Sequence, residues 1–141
     1  MTLKAPDDPA ADVRAGLRAH AAEWGVVVDT VGETATSLIA YGRRGELAVV
    51  LKVVKQHGDE WSSGAVLRSF DGRGVARVYE QTPGALLIER LVPGNSLVDL
   101  VVRGDDDAAT TVLAGIIAAM TPSSAIVTSP TVGDWGKGFA W

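Results

Sequence analysis

The chain contains no cysteine, and its 141 residues carry a formal net charge of −4. Without cysteine it has neither disulfide bonds nor thiolate metal ligands, which fits a reducing compartment. The excess of acidic residues argues against a broad basic surface for nucleic acid. The longest apolar stretch, residues 108–120, is interrupted by threonines and is too short to span a bilayer. Acidic residues near the N-terminus indicate no export signal, so we expect a soluble, cytoplasmic protein without a membrane partner.

The overall composition is that of one globular domain. Hydrophobic residues make up 47% of the chain and charged residues 21%. Residues 1–9, rich in proline and aspartate, predict a loose leader. Residues 10–24 predict a helix, which Gly25 ends, because apolar side chains recur there at helical spacing. Those side chains are Val13, Leu17, Ala21 and Trp24.

The most informative stretch begins with a strand-like segment, LAVVLKVV, at residues 47–54. Both faces of this strand are apolar except for Lys52, so we expect it to be buried on both sides. A buried ammonium group requires an anionic partner, and the candidates are Glu60 and a bound phosphate. A lysine of this kind, paired with a glutamate on the next helix, positions phosphates in kinase-like folds. Alternatively, Lys52 is a charge that protects an edge strand from aggregation.

Further strands surround this segment. Residues 26–31 and 37–41 precede residues 47–54, and the short links between them predict neighbouring antiparallel strands. Residues 75–80 and 85–89 predict a second pair, joined by a Pro-Gly turn.

Between these two groups of strands, residues 59–70 predict a helix with Asp59 as its N-cap. Glu60, Gly64 and Leu67 share one face of this helix, which directs Glu60 toward the sheet. Alternatively, Glu60 is an acidic residue placed in the first turn because the helix dipole favours it. A turn at residues 71–74 follows.

The link between the first two strands is small and polar, from Gly32 through Thr34 to Ser37. A loop that lies over the phosphates of a nucleotide needs such residues, because bulky side chains would keep backbone N–H groups away. An ordinary hairpin loop favours the same residues, so both interpretations stay open.

After Leu91 the pattern changes from strands to helices. A break at residues 93–95 precedes a short helix, residues 97–103, which Ser96 caps. Three aspartates at positions 105–107 then introduce a strongly apolar helix over residues 108–120. The aspartates indicate a helix N-terminus rather than a metal site. Residues 122–141 have no clear period and predict an unfinished connection.

Two elements of a phosphotransferase are missing from the chain. His57-Gly58-Asp59 is similar to a His-Gly-Asp catalytic loop, but it follows the Lys52 strand directly, where a kinase-like fold places no catalytic base. The only asparagine is Asn95, so no asparagine follows at the spacing that magnesium binding requires. We therefore assign no catalytic and no metal-binding residue.

Four motifs in this order resemble the N-terminal half of one family. They are VLKVVKQHGDEW, LRSFDGRGVARVYE, ALLIERLVPGNSL and GDDDAATTVLAGIIAAM, within residues 24–120. They are similar to the streptomycin 6-kinase and hydroxyurea phosphotransferase group of aminoglycoside kinases. The chain has Met120-Thr121 where that family tends to have Leu-His.

The resemblance implies an α+β fold like the small lobe of a protein kinase: a five-stranded antiparallel sheet with one packed helix and an N-terminal helix. The small lobe and hinge would occupy residues 10–91, and residues 92–141 would begin an incomplete helical large lobe. Lys52 would hold the phosphates of ATP, and Glu60 or its neighbour Asp59 would pair with Lys52. The loop from Gly32 to Ser37, with Thr34, would cover the phosphates, and the backbone of Glu89 to Leu91 would bind adenine.

The resemblance further implies ATP-dependent phosphorylation of an alcohol group on a small molecule such as an aminoglycoside, with Mg²⁺ in the complete enzyme. Because the catalytic loop is absent from this sequence, we expect the chain alone to be inactive. Two alternatives stay open: a non-catalytic nucleotide-binding module, and an interaction module that self-associates through the apolar helix at residues 108–120.

Overall fold

The structure is a computed structural model that describes residues 9–121 and residue 133, with side chains from residue 12 onward. The first part of the described chain is helix α1 (Pro9–Glu23) followed by strands β1 (Val27–Glu33), β2 (Ser37–Arg44) and β3 (Leu47–Val54). A 3₁₀ helix (Asp59–Ser62) leads directly into helix α2 (Ser63–Ser69). Strands β4 (Val78–Thr82) and β5 (Ala85–Glu89) precede helices α3 (Val98–Val102) and α4 (Asp106–Ala119).

The five strands form one antiparallel sheet in the order β1-β2-β3-β5-β4. The α+β class and the five-stranded antiparallel sheet are therefore confirmed. Strand β3 lies at the centre, because it pairs with β2 on one side and with β5 on the other. The alternative that Lys52 protects an edge strand is wrong.

The two faces of β3 differ in their surroundings. Val49 and Leu51 are fully buried, and helix α1 packs over their face of the sheet. The side chain of Lys52, on the other face, is 27% exposed. The expectation that β3 is buried on both sides is wrong, since only one face has a helix packed across its centre. We call the face that carries Lys52 the open face.

Helix α1 packs over the buried face of the sheet. Leu17 and Ala21 are buried in the core, and Val13 and Trp24 pack against its edge, as the helical spacing predicted. The helix begins at Pro9, one residue before the predicted start, because proline is compatible with the first turn of a helix. Gly25 follows with a φ of +66°, a left-handed conformation that favours glycine after a helix. Residues 1–8 of the predicted leader lie outside the described part of the chain.

Strand β2 is longer than predicted, because the predicted turn residues Gly42 and Arg44 belong to the strand. Gly42 pairs with Val28 on one side and with Val49 on the other. A Cβ at Gly42 would collide with the backbone of Val27, so glycine is required here by close packing of the strands. Strand β1 also extends to Glu33, which shortens the loop between β1 and β2 to residues 34–36.

Strands β3 and β5 have the predicted bounds, but the helical segment between them differs from the expectation. It begins as a 3₁₀ helix whose N-cap position is Gly58, and the side chain of Asp59 makes no capping bond. The predicted turn at residues 71–74 is present. Strand β4 begins after it at Val78, three residues later than predicted.

Helices α3 and α4 follow a cis Val92–Pro93 peptide bond. The N-cap position of α3 is Leu97 and not Ser96, so the prediction of Ser96 as the cap is wrong. Ser96 lies just before the helix, where its Oγ accepts a hydrogen bond of 3.2 Å from the N–H of Val98. Asp105 occupies the N-cap position of α4, and the next two aspartates lie in its first turn. Arg73 Nε donates to the carbonyl oxygen of Thr121 at 2.9 Å, which joins the turn before β4 to the end of α4.

No helix within the described part of the chain has the length and apolar character needed to cross a membrane. The unfinished connection predicted for residues 122–141 lies outside the described residues, apart from residue 133.

Candidate functional site

The centre of the candidate site is an ion pair between β3 and the 3₁₀ helix. Lys52 Nζ lies 2.7 Å from Glu60 Oε2. The two residues belong to different elements, and the fold brings their side chains together. Strand β3 holds Lys52 in the middle of the sheet, and the 3₁₀ helix presents Glu60 toward the open face. Of the two partners considered from the sequence, Glu60 makes this pair and Asp59 does not.

Two hydroxyl groups extend this pair toward the β1–β2 loop. Thr36 Oγ1 donates to Glu60 Oε1 and Ser37 Oγ donates to Glu60 Oε2, both at 3.4 Å. The hydrogen bond from Lys52 lowers the pKa of Glu60, with further lowering from the charge of Lys52 and the two hydroxyls. Partial burial opposes this effect. Glu60 is therefore held as a carboxylate at neutral pH.

The lowered pKa of Glu60 links the ion pair to stability. Because the pKa is lower in the folded state than in the unfolded state, ionised Glu60 stabilises the fold above its unfolded-state pKa. That contribution is lost as the pH falls through the folded-state pKa. The Glu60 side chain is 43% exposed, so solvent screens the pair and the contribution is small.

The loop at residues 34–36 is held against the end of β3 by Lys55. Lys55 Nζ donates to Glu33 Oε1 and to the carbonyl oxygen of Thr34, both at 2.6 Å. The backbone N–H of Lys55 donates to the carbonyl oxygen of Thr36 at 2.8 Å. The hydrogen bond from Lys55 also lowers the pKa of Glu33. Sequence reasoning missed Lys55 and Glu33, although a lysine one residue past a strand end, opposite a polar loop, is a usable signal.

The predicted loop residues occupy different places. Thr34 closes the turn, because its N–H donates to the Ser37 carbonyl oxygen at 2.9 Å and its Oγ1 accepts from the Ser37 N–H at 3.0 Å. Ser37 is fully buried and begins β2. Gly32 lies within β1, opposite Ile39, so its prediction as a loop residue is wrong. Beside this loop is a depression of about 380 Å³. It is lined by Ala35, Thr36, Val54, Lys55, Gln56, His57, Gly58, Asp59 and Glu60.

An apolar surface extends from Lys52 along the open face. Ile39, Lys52 and Leu86 are neighbours across β2, β3 and β5. Two residues away along each strand, Val50 lies opposite both Tyr41 and Ile88. Leu86 is buried, and Ile39, Val50 and Ile88 are half-buried. The surface is therefore apolar and partly accessible.

The predicted hinge lies at the far end of this surface. Glu89 is the register partner of Val49, three residues from Lys52, which is a distance of about 10 Å along the strands. The N–H groups of Glu89 and Arg90 are bonded to the carbonyl oxygens of Arg77 and Ala48. Among residues 9–121, no group accepts a hydrogen bond from the N–H of Leu91, a residue that is 61% exposed. The structure thus separates residues 89–91, the predicted hinge, from the Lys52–Glu60 pair.

Of the His57-Gly58-Asp59 string, His57 and Gly58 lie between β3 and the 3₁₀ helix, and Asp59 is the first residue of that helix. The His57 ring packs against the Trp61 ring, with 5.1 Å between the centroids. Within residues 9–121, no group of three histidine or acidic side chains is arranged to hold a metal ion.

Comparisons with known proteins show the family to which the chain is similar. Residues 18–125 match the model of the family described as aminoglycoside/hydroxyurea antibiotic resistance kinase. A hydroxyurea phosphotransferase from Kitasatospora aureofaciens is 43% identical over 91 residues, which cover 55% of this chain and 26% of that protein. A streptomycin 3''-kinase from Klebsiella pneumoniae is 36% identical over 80 residues, which cover 57% of this chain and 30% of that protein.

The matched part of the chain thus spans between a quarter and a third of each curated relative. No solved structure matches the chain.

Proposed function

The chain belongs to the aminoglycoside/hydroxyurea antibiotic resistance kinase family, and from this premise we propose that it is the nucleotide-binding N-terminal part of an ATP-dependent small-molecule kinase. The complete enzyme would transfer a phosphoryl group to an alcohol group of an aminoglycoside or hydroxyurea-type acceptor. The observation that carries the proposal is the Lys52–Glu60 pair, at 2.7 Å, at one end of an accessible apolar surface.

Each end of the open face suits one part of ATP. Lys52 would bind the phosphates, because its side chain is 27% exposed and Glu60, at 2.7 Å, fixes the direction of its ammonium group. The β1–β2 loop, residues 34–36 with Thr34, would lie over the phosphates, together with Gly32 near the end of β1 and Ser37 at the start of β2. Kinases use these two elements, a loop and a lysine on β3, for the same purpose.

At the other end, the backbone from Glu89 to Leu91 would bind adenine. The N–H of Leu91, a residue that is 61% exposed, is a donor without a partner among the described residues, and adenine offers acceptor nitrogens. The half-buried side chains of Ile39, Val50 and Ile88 would pack against the planar ring between the hinge and Lys52. The separation of about 10 Å leaves room for the sugar between the two ends.

We further propose that this chain alone transfers no phosphate. Transfer requires an aspartate that accepts the hydroxyl proton, and acidic or amide side chains that hold Mg²⁺. Asn95 is the only asparagine, and residues 9–121 present no cluster of metal ligands. Residues of the helical large lobe, which we propose to start near residue 92, would supply these groups and the acceptor site.

Calorimetric titration of the 141-residue chain with MgATP and MgADP tests this proposal. We expect a single site with a dissociation constant of about 1 mM or lower. In a parallel assay with radiolabelled ATP, we expect no phosphorylation of streptomycin or hydroxyurea. Absence of binding at millimolar nucleotide would refute the nucleotide site, and phosphorylation that requires Lys52 would refute the incomplete catalytic centre.

A second candidate function, a protein-interaction module, rests on the exposed apolar side of α4. Several of its large side chains are at least 37% exposed, namely Val112, Leu113, Ile116, Ile117 and Met120. A helix with such a surface normally packs against other helices. This candidate predicts a stable dimer in sedimentation velocity at micromolar concentration, and a monomer at all concentrations would rule out self-association.

A further inference from the structure

The turn between β4 and β5 packs against Trp61, the residue that follows Glu60. Gly84 in this turn has a φ of +80°, and a Cβ built on it would lie 2.7 Å from Cη2 and Cζ3 of Trp61. Such a distance is shorter than the contacts that real Cβ atoms make, so the indole ring packs closely against Gly84. Only glycine allows both this conformation and this approach.

Backbone hydrogen bonds join the same turn to the two segments that carry the ion pair. The N–H of Gly84 donates to the carbonyl oxygen of Trp61 at 2.8 Å, next to Glu60. The carbonyl oxygen of Gly84 accepts from the N–H of Val54 at 2.8 Å, two residues from Lys52. Gly84 is therefore bonded to the segment that carries Glu60 and to the strand that carries Lys52.

Apart from the bonds of Glu60 to Lys52, Thr36 and Ser37, the 3₁₀ helix has few contacts that could fix its position. It contains no buried residue, and no side chain caps its N-terminus at Gly58. The Trp61 ring is its largest side chain, and it contacts His57 on the loop that precedes the helix. The next anchor is Gly64, which packs against Gln81 and Leu86 one turn later.

We propose that Gly84 and Trp61 are positioning residues that hold the 3₁₀ helix in the place from which Glu60 reaches Lys52. The β4–β5 turn thereby sets the direction of the lysine and the affinity for nucleotide. This inference rests on the proposed function for its effect on nucleotide affinity, whereas its effect on the ion pair is independent of that function.

Gly84→Ala tests the proposal, with Gly45→Ala as a matched control. Both glycines lie in β-turns with positive φ, +80° and +59°, so both substitutions introduce similar backbone strain. A Cβ at Gly45 would meet nothing within 4 Å, whereas a Cβ at Gly84 would meet the Trp61 ring. The difference between the two variants therefore isolates the contact with Trp61.

The main measurement is the pKa of the Glu60 carboxyl group, followed by NMR in the full chain. In the wild type and in Gly45→Ala we expect a pKa below the ordinary glutamate value of about 4.3. In Gly84→Ala we expect a return to about that value, and an affinity for MgATP at least about tenfold weaker. A folded Gly84→Ala variant with a low pKa and wild-type affinity would overturn the proposal.

Trp61→Ala provides a second test that leaves the backbone of the turn unchanged. We expect the same rise in the pKa of Glu60, because the ring that packs on Gly84 is gone. A wild-type pKa in this folded variant would equally overturn the proposal, even if Gly84→Ala did not fold. If the wild type binds no nucleotide, the proposed function fails, but the pKa comparison still decides whether Gly84 and Trp61 position Glu60.

Discussion

Lys52→Met is expected to weaken MgATP binding by roughly 10- to 100-fold while the chain remains folded. A hydrogen bond to a charged group contributes about 1.5–3 kcal/mol, and each 1.4 kcal/mol changes an affinity about tenfold. Methionine retains an apolar stem of similar length, so the packing of β3 between β2 and β5 should persist. Calorimetric titration gives the affinity, and circular dichroism gives the fold.

Arg44→Met is the matched control for this prediction. Arg44 pairs with Glu80 at 2.8 Å, and the two side chains are 29% and 42% exposed. The Lys52–Glu60 pair has nearly the same distance and exposures, 27% and 43%. Each variant therefore loses one cation from a half-exposed pair of similar strength. Equal loss of MgATP affinity in both variants would mean that Lys52 has no specific role.

Leu51→Ala should produce the largest loss of stability. Leu51 is fully buried on the α1 side of the central strand, where it belongs to the same cluster as Leu17 and Leu87. Removal of a buried leucine side chain leaves a cavity and costs about 2–5 kcal/mol. Urea unfolding of the wild type and the variant measures the difference.

Leu47→Ala is the same substitution in the same strand, at a position that is 47% exposed. We expect a loss of less than about 1 kcal/mol, because little apolar surface returns to water. If both substitutions cost the same free energy of unfolding, the burial of Leu51 in the core beneath α1 would be incorrect. Leu47 lies on the same face of β3 as Leu51, so the two variants together measure how much of this face the core covers.

The elements that the sequence predicted accurately are those with a strong local signal. Strands β3 and β5 have the predicted bounds because each is a continuous aliphatic run between turn residues. Strand β2 was predicted too short because Gly42 and Arg44 are poor strand formers, and their pairing with both neighbours decides their conformation. Local propensity carries no information about such neighbours.

The accessibility of Lys52 could not be predicted from the local sequence for the same reason. The apolar pattern of β3 is that of a strand covered on both faces, but the pattern does not reveal which faces have a partner. Helix α1 covers one face, and the other remains open around Lys52. The edge-strand alternative failed because the partner β5 lies more than thirty residues along the chain.

The candidate site was predicted in part. The Lys52–Glu60 pair followed from a charge in an aliphatic strand and an acid on the next segment, and the structure brings the two together. The contacts of Lys55 with Glu33, and of Gly84 with Trp61, were not predicted. Both join residues more than twenty positions apart, and no spacing rule connects them.

An NMR titration of the isotopically labelled chain with MgATP tests the central claim most directly, because it maps where nucleotide binds. We expect chemical-shift changes on the open face, at Ile39, Val50, Lys52 and Ile88, and at the N–H of Leu91. The methyl groups of Leu17, Val49 and Leu51, beneath α1, should change little. Shift changes concentrated on that covered face, or none at saturating MgATP, would contradict the account.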